Sequence, residues 1–243
     1  MSFLVPPRRP STELLDRPDL PSEEMARSLE DLEAVNRVWG NARLLARRLA
    51  PYLEAPDGSR ARILDLGAGS GTISADLAAH LSRRGVAADT IALDAQWRHL
   101  AAGRARNGSR PPSVAADAFA MPFADGSADW IVSTLFFHHF SPEENALLLK
   151  EIARVARRGF ALMDIRRHRM PLTFIAAAGR LAFRSRVSVE DGAASVRQSY
   201  TLEEAREIAE RAVPGTSVER VFPFRLLLFK PPAPPTPVDC RLS

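Results

Sequence analysis

Residues Arg62–Ala78 read RILDLGAGSGTISADLA, and the fold turns on this stretch. An apolar run ends at Leu66, and Gly67, Gly69 and Gly71 then alternate with small residues. The pattern predicts a buried strand, a tight turn and a helix over 71–84. Glycines let the backbone bend sharply and approach a ligand with no Cβ in the way. The start of the helix adds unpaired N–H groups. The spacing resembles the dinucleotide fingerprint GxGxxG, but Thr72 stands where its third glycine belongs. Asp65 lies inside the apolar run, two residues before Gly67. Beside a pyrophosphate that carboxylate would be repulsive, whereas a ligand with an ammonium group would welcome it.

On either side of this stretch, strands alternate with helices. ARILDL (61–66), TIALD (90–94), PSVAAD (112–117), ADWIVSTLF (128–136) and GFALMDI (159–165) read as strands. Helices follow from about Ala95, over 142–157 with Ser141 as cap, and over 202–212 with Thr201 as cap. SVERVF and RLLLFK, divided by Pro223-Phe224, read as an antiparallel pair. Such alternation predicts an α/β fold with a mostly parallel sheet covered by helices on both faces. Upstream, Met25, Leu29, Leu32, Val35, Trp39, Ala42, Leu45 and Leu49 recur at helical spacing behind Ser22, with Gly40 and Pro51 as interruptions. The predicted organisation is an extended, proline-containing arm (1–21), a helical extension (22–56), a catalytic-type domain (57–230) and a disordered tail (231–243). Residues 166–200 are too long for an ordinary connection. They read as a substrate cover at the carboxyl end of the fifth strand.

Composition narrows the function classes. The chain has 243 residues, 46% of them hydrophobic, and a net charge of +4. No apolar run approaches the roughly 20 residues of a membrane span, and MSFLVPPRRPS lacks the apolar core of a signal peptide. A single cysteine, Cys240, excludes an internal disulfide framework and a Cys-rich metal site; the reading is a cytoplasmic protein. Only two of the 33 basic residues are lysines, so the basic balance reports arginine use. That charge is a weak case for nucleic acid as the partner.

Three acids end three consecutive predicted strands: Asp65, Asp94 and Asp117. Asp94 is placed to grip ribose hydroxyls and Asp117 to accept from an adenine amino group. With the glycine turn, this makes a constellation more specific than the turn alone. ILDLGAGSG, IALDAQ, AADAFAMPFADGSADWIVSTLFFHHF and EIARVARRGFALMDI together resemble the successive motifs of class I S-adenosylmethionine-dependent methyltransferases, over about residues 60–165. That resemblance implies a Rossmann-like, seven-stranded sheet with its last strand antiparallel. It also implies S-adenosyl-L-methionine as cofactor. By it, Asp65, Gly67, Ala68, Gly69 and Gly71 take the methionine end. Asp94 takes the ribose, Gln96 or Trp97 lies near the adenine, Asp117 and Ala118 bind its edge, and Ala95 and Thr134 are further cofactor-binding positions.

Methyl transfer requires alignment first, and a base only where the acceptor is a neutral hydroxyl. His138 and His139, just past the fourth strand, are the candidate catalytic bases, with His168 a weaker one. Acids beyond those assigned above show no cluster along the sequence, so no metal is expected. STLF replaces the Asn/Asp-Pro-Pro-aromatic tetrad of amino-methylating enzymes, and Cys240 lies in the tail, away from any cytosine chemistry. A small-molecule substrate remains, with Met170, Leu172, Phe174, Ile175, Leu181 and Phe183 as candidate pocket walls. LFFHHF and the segment from Asp164 also resemble quinone- and polyketide-tailoring methyltransferases of bacteria. This implies a phenolic or quinone-like acceptor, O-methylation being favoured over C-methylation. The alternatives are a non-catalytic cofactor-binding module within an assembly and an RNA methyltransferase.

Overall fold

The computed structural model describes residues 4–53, 59–107 and 111–232. The boundary expected near residue 57 and the tail from residue 233, including Cys240, fall outside the described residues. Seven strands form one sheet: β1 (Ala61–Leu66), β2 (Ala88–Asp94), β3 (Ser113–Ala115), β4 (Ala128–Thr134), β5 (Ala156–Ile165), β6 (Ser217–Val221) and β7 (Arg225–Lys230). Their order is β3-β2-β1-β4-β5-β7-β6. β1 to β5 are mutually parallel, and β7 runs antiparallel to both β5 and β6. The chain steps from β1 to β2 on one side and to β4 on the other. The switch in direction therefore falls between β1 and β4, where open α/β sheets bind ligands at their strand carboxyl ends.

The central strands are apolar throughout because both their faces are covered. Alternate residues serve opposite cores. Ile63, Trp130 and Leu227 pack with α2 (Asn41–Leu53) and α3 (Thr72–Ser82). Leu64, Ile131 and Leu228 pack with α5 (Pro142–Val155) and α8 (Leu202–Ala212). Leu45, Leu49 and Leu77 have no exposed surface, so truncating any one to alanine costs about 2–5 kcal/mol. Ser141 and Thr201 form capping boxes with Glu144 and Glu204, which start α5 and α8.

The helical extension divides at Gly40, a left-handed C-cap that ends α1 (Ser22–Trp39). Ser22 is the first helical residue rather than a side-chain cap; Pro21 precedes it and Arg98 bonds its hydroxyl. Pro51 lies inside α2 without interrupting it. The halves also pack differently. α2 lies on the sheet, whereas Met25 and Leu29 of α1 pack against Leu15 and Val187.

The segment 166–200 folds into α6 (Arg169–Ala182) and α7 (Arg186–Gln198). The N-terminal arm lies along α7. Asp191 of α7 accepts the N–H groups of Leu14 and Leu15 at 2.7 and 2.9 Å, and Arg9 N–H donates to Arg197 O. A short 3-10 turn, Leu14–Asp16, results.

Candidate functional site

Two turns flank the β1–β4 crevice: the glycine loop after β1 and a 3-10 turn, Phe137–His139, after β4. Gly67 adopts φ +66°, and a Cβ there would meet Phe136 Cδ2 at 2.5 Å. Glycine is thus required twice at this position, by backbone sign and by the ring lying over it. Leu135, between Thr134 and that ring, has φ +56° without being glycine. Strain of this kind accumulates where side chains must be aimed.

Asp65, 1% exposed, accepts a 2.6 Å hydrogen bond from Ser74 on α3. Burial pushes its carboxyl up to about 7; the Asp94 charge adds to this and the Ser74 bond opposes it. Asp94 closes β2, and its two oxygens accept Gly69 N–H at 2.7 Å and Gln96 N–H at 2.8 Å. Burial raises its pKa as well, against those N–H groups and the charge of His99. Ala68 N–H bonds Leu93 O, and Gly71 N–H bonds Ala68 O, so the loop is closed on β2. These residues form one cradle. It has buried anionic character, glycine backbone on one side and a helix start beneath. That donor set fits a ligand with an ammonium group and a diol, the ends of S-adenosylmethionine named above.

The adenine-side candidates are more open. Asp117 lies two residues beyond β3, at the same sheet end as Asp94, and caps Phe119 N–H at 2.9 Å. Ala95 and Trp97 are exposed, Ala118 sits in the core and Thr134 is buried as the last residue of β4. Gln96 Nε2 reaches Asp16 O of the arm at 3.3 Å.

The histidines differ from each other. His138 is 2% exposed; its Nδ1 bonds Asp164 Oδ1 at 2.7 Å and its Nε2 lies 3.2 Å from Glu13 Oε1. Burial alone would depress its pKa, but the charge and hydrogen bond of Asp164, then those of Glu13, raise it to about 10. Between these two carboxylates the ring is an imidazolium and holds no lone pair for a substrate proton. His139 keeps 21% of its side-chain surface, with Nε2 3.7 Å from Glu13 Oε2 and Nδ1 3.3 Å from Asp16 Oδ2. Glu13 is itself buried. That burial opposes ionisation, yet the His138 hydrogen bond, both imidazole charges and Ser195 bring it down to about 2. His168 is placed apart as the N-cap of α6, accepting Met170 N–H at 3.1 Å.

Of the apolar candidates on the cover, Ile175 is buried and Leu172 packs beside it, while Met170, Phe174 and Leu181 face outward. A cleft of about 450 Å³ lies between the arm and this cover, lined by Pro6, Arg9, Arg169, Leu172 and Arg197 among others. None of the cofactor candidates lines it.

Glu13, Asp16 and Asp164 went unread in the sequence. Asp164 carried a usable signal, since it interrupts an apolar strand as Asp65 does. Glu13 carried none, because 125 residues separate it from His138.

A family model described as a methyltransferase domain matches residues 63–159. The demethylmenaquinone methyltransferase of Beutenbergia cavernae is 38% identical over 131 residues, covering 53% of this chain and 47% of that protein. Its counterpart from Mycolicibacterium vanbaalenii is 34% identical over 128 residues, covering 53% and 48%. The chain thus matches about half the length of these curated relatives. Among solved structures, human N-acetylserotonin methyltransferase in complex with S-adenosylmethionine is similar in fold. Its TM-score is 0.63 at 13% identity, over 87% of this chain and 56% of that one. The residues 63–159 that match the methyltransferase-domain model carry the glycine turn at the head of the 3-2-1-4-5-7-6 sheet.

Proposed function

We propose that this protein binds S-adenosyl-L-methionine across the tips of β1, β2 and β3 and methylates a small phenolic or quinone-like molecule. The observation that carries the reading is the adjacent pair of buried carboxylates, Asp65 and Asp94, beneath the glycine loop, both with raised pKa. A cationic ligand group relieves that crowding, and a diol can share the Asp94 oxygens with the loop N–H groups. In this reading Gly67, Ala68, Gly69 and Gly71 present backbone to the methionine end, and Asp117 with Ala118 borders the adenine. When bound, the cofactor supplies an activated methyl group; the chain's task is to align the acceptor.

The acceptor side is the turn after β4. His138 holds Asp164 and Glu13 together, and the Glu13–His139 pair polarises an acceptor hydroxyl. A pair of that kind favours transfer to oxygen over transfer to carbon. The similarity to demethylmenaquinone methyltransferases supports a ring-bearing acceptor. Among the described residues no helix is long and apolar enough to cross a membrane.

Titration calorimetry with S-adenosylhomocysteine tests the first half, and one site per chain is expected. Asp94→Ala removes a charge-assisted hydrogen bond, costing about 1.5–3 kcal/mol, or roughly tenfold or more in affinity. Unchanged affinity overturns the ribose role. Labelled-methyl transfer to a panel of phenols and quinones, with the products separated into ethers and ring-methylated species, tests the second half.

A further inference from the structure

The cluster at the arm is built like a metal site. One ligand atom from each of Glu13, His138 and His139 lies within 4.8 Å of the other two. Both imidazoles turn Nε2 toward the Glu13 carboxylate, at 3.2 and 3.7 Å. Two ligands of one tetrahedral ion, each about 2.0–2.1 Å from it, stand roughly 3.3–3.4 Å apart. The two observed separations, one to each Glu13 oxygen, lie near that value.

The outer partners point the same way. His138 Nδ1 meets Asp164 and His139 Nδ1 meets Asp16, at 2.7 and 3.3 Å. Metal-ligating histidines almost always donate their second nitrogen to such a group, which fixes the ring and aims the other lone pair. Asp164 is anchored in turn by the N–H groups of His138 and Ile165. Ser195 and Gln198 bond Glu13 Oε1 at 2.5 and 2.9 Å, and Oε2 faces His139. Three carboxylates thus surround two imidazoles. Arg8 binds the carbonyls of His138 and Phe140 nearby.

We propose that Glu13, His138 and His139 bind one divalent transition-metal ion of the zinc or cobalt type, with an open position for an oxygen donor. Two imidazoles and one carboxylate are a zinc-type set, whereas magnesium and calcium take oxygen ligands. The ion displaces the imidazole proton, as metal binding commonly does. The site stands on its own geometry. Only its use, holding an acceptor oxygen beside the Phe136–Gly67 contact, rests on the methyltransferase reading.

The test uses the full chain, stripped with a chelator and titrated with cobalt(II). One equivalent should bind, giving the intense visible bands of a low-coordinate cobalt ion, and zinc should displace it. His139→Ala, at the least buried ligand, should abolish the bands. Asp164→Asn should weaken binding 10–100-fold, and His168→Ala should leave it unchanged. Circular dichroism on each variant confirms folding. Absence of a stoichiometric cobalt spectrum, or a spectrum unaltered in both His139→Ala and Glu13→Ala, overturns the proposal. Calorimetry with S-adenosylhomocysteine on the same samples separates this failure from failure of the cofactor reading.

Discussion

On the proposed reading, the acid beneath the glycine loop makes cofactor affinity depend on pH in a calculable way. Asp65 titrates near 7 in the free protein, because burial and the neighbouring Asp94 both disfavour its charge. An ammonium group bound beside it requires the carboxylate. Affinity therefore rises with pH as the proton leaves, and levels off above the titration point. From pH 5.5 to 7.0 the ionised fraction climbs from about 0.03 to about 0.5. The association constant for S-adenosylhomocysteine should then increase about 15-fold, or roughly 1.6 kcal/mol. Calorimetry at four pH values, each in two buffers of different ionisation enthalpy, reads both the affinity and the proton released, about half a proton per site at pH 7. Asp65→Asn removes the titrating group and should flatten the profile while lowering affinity throughout. A flat profile in the native protein, or the same slope in Asp65→Asn, refutes the role given to Asp65.

Glu13→Ala strips one of two carboxylate partners from a buried imidazolium and should cost up to about 3–5 kcal/mol in denaturant unfolding. The sign follows from the two pKa values. His138, raised from 6.5 to about 10, contributes fully below pH 6.5 and loses its contribution as pH climbs through 10. Glu13, lowered from 4.5 to about 2, contributes above 4.5 and loses its contribution as pH falls through 2. The stability lost in Glu13→Ala should therefore be greatest between these limits and shrink towards alkaline pH; a loss independent of pH contradicts the ion pair. Gly67→Ala forces a left-handed backbone on a residue with a Cβ and drives that atom into Phe136. A loss of about 1–2 kcal/mol from the backbone alone is expected, and a melting temperature equal to the parent's counts against the contact. Ser141→Ala, which opens the capping box of α5, should cost about 1 kcal/mol and leave S-adenosylhomocysteine affinity unchanged.

The strand–turn–helix core was legible because its signals are local. Leu64 and Ile63 face opposite cores, so the strand had to be apolar throughout, and the run ILDL says so. The turn needs φ values that only glycine takes without strain, and Gly67 and Gly71 say so. Ser141 and Thr201 announced α5 and α8 because capping is settled within four residues. What stayed hidden depends on contacts distant in the chain. The apolar face of α1 looks like a helix bound for the sheet, yet Met25 and Leu29 meet Leu15 and Val187, residues from the arm and α7. The arm itself has no period to read, since Asp191 holds it through the N–H groups of Leu14 and Leu15. His138 and His139 stood out as a pair, but the character of His138 is set by Asp164 and Glu13, 26 and 125 residues away.

The same few residues of the arm touch both halves of the site. Glu13 meets the histidines, Leu15 O lies 3.4 Å from His99 Nε2, and Asp16 O takes Gln96 Nε2. His99 in turn faces Asp94 at 3.9 Å. Asp94 is therefore connected to Leu15 and Asp16 through Gln96 and His99, and Glu13 lies only two residues from Leu15. A chain of contacts thus runs from Asp94 to the arm that carries Glu13, outside the matched residues 63–159. The domain supplies the cradle, and the arm sets how the histidine turn is charged.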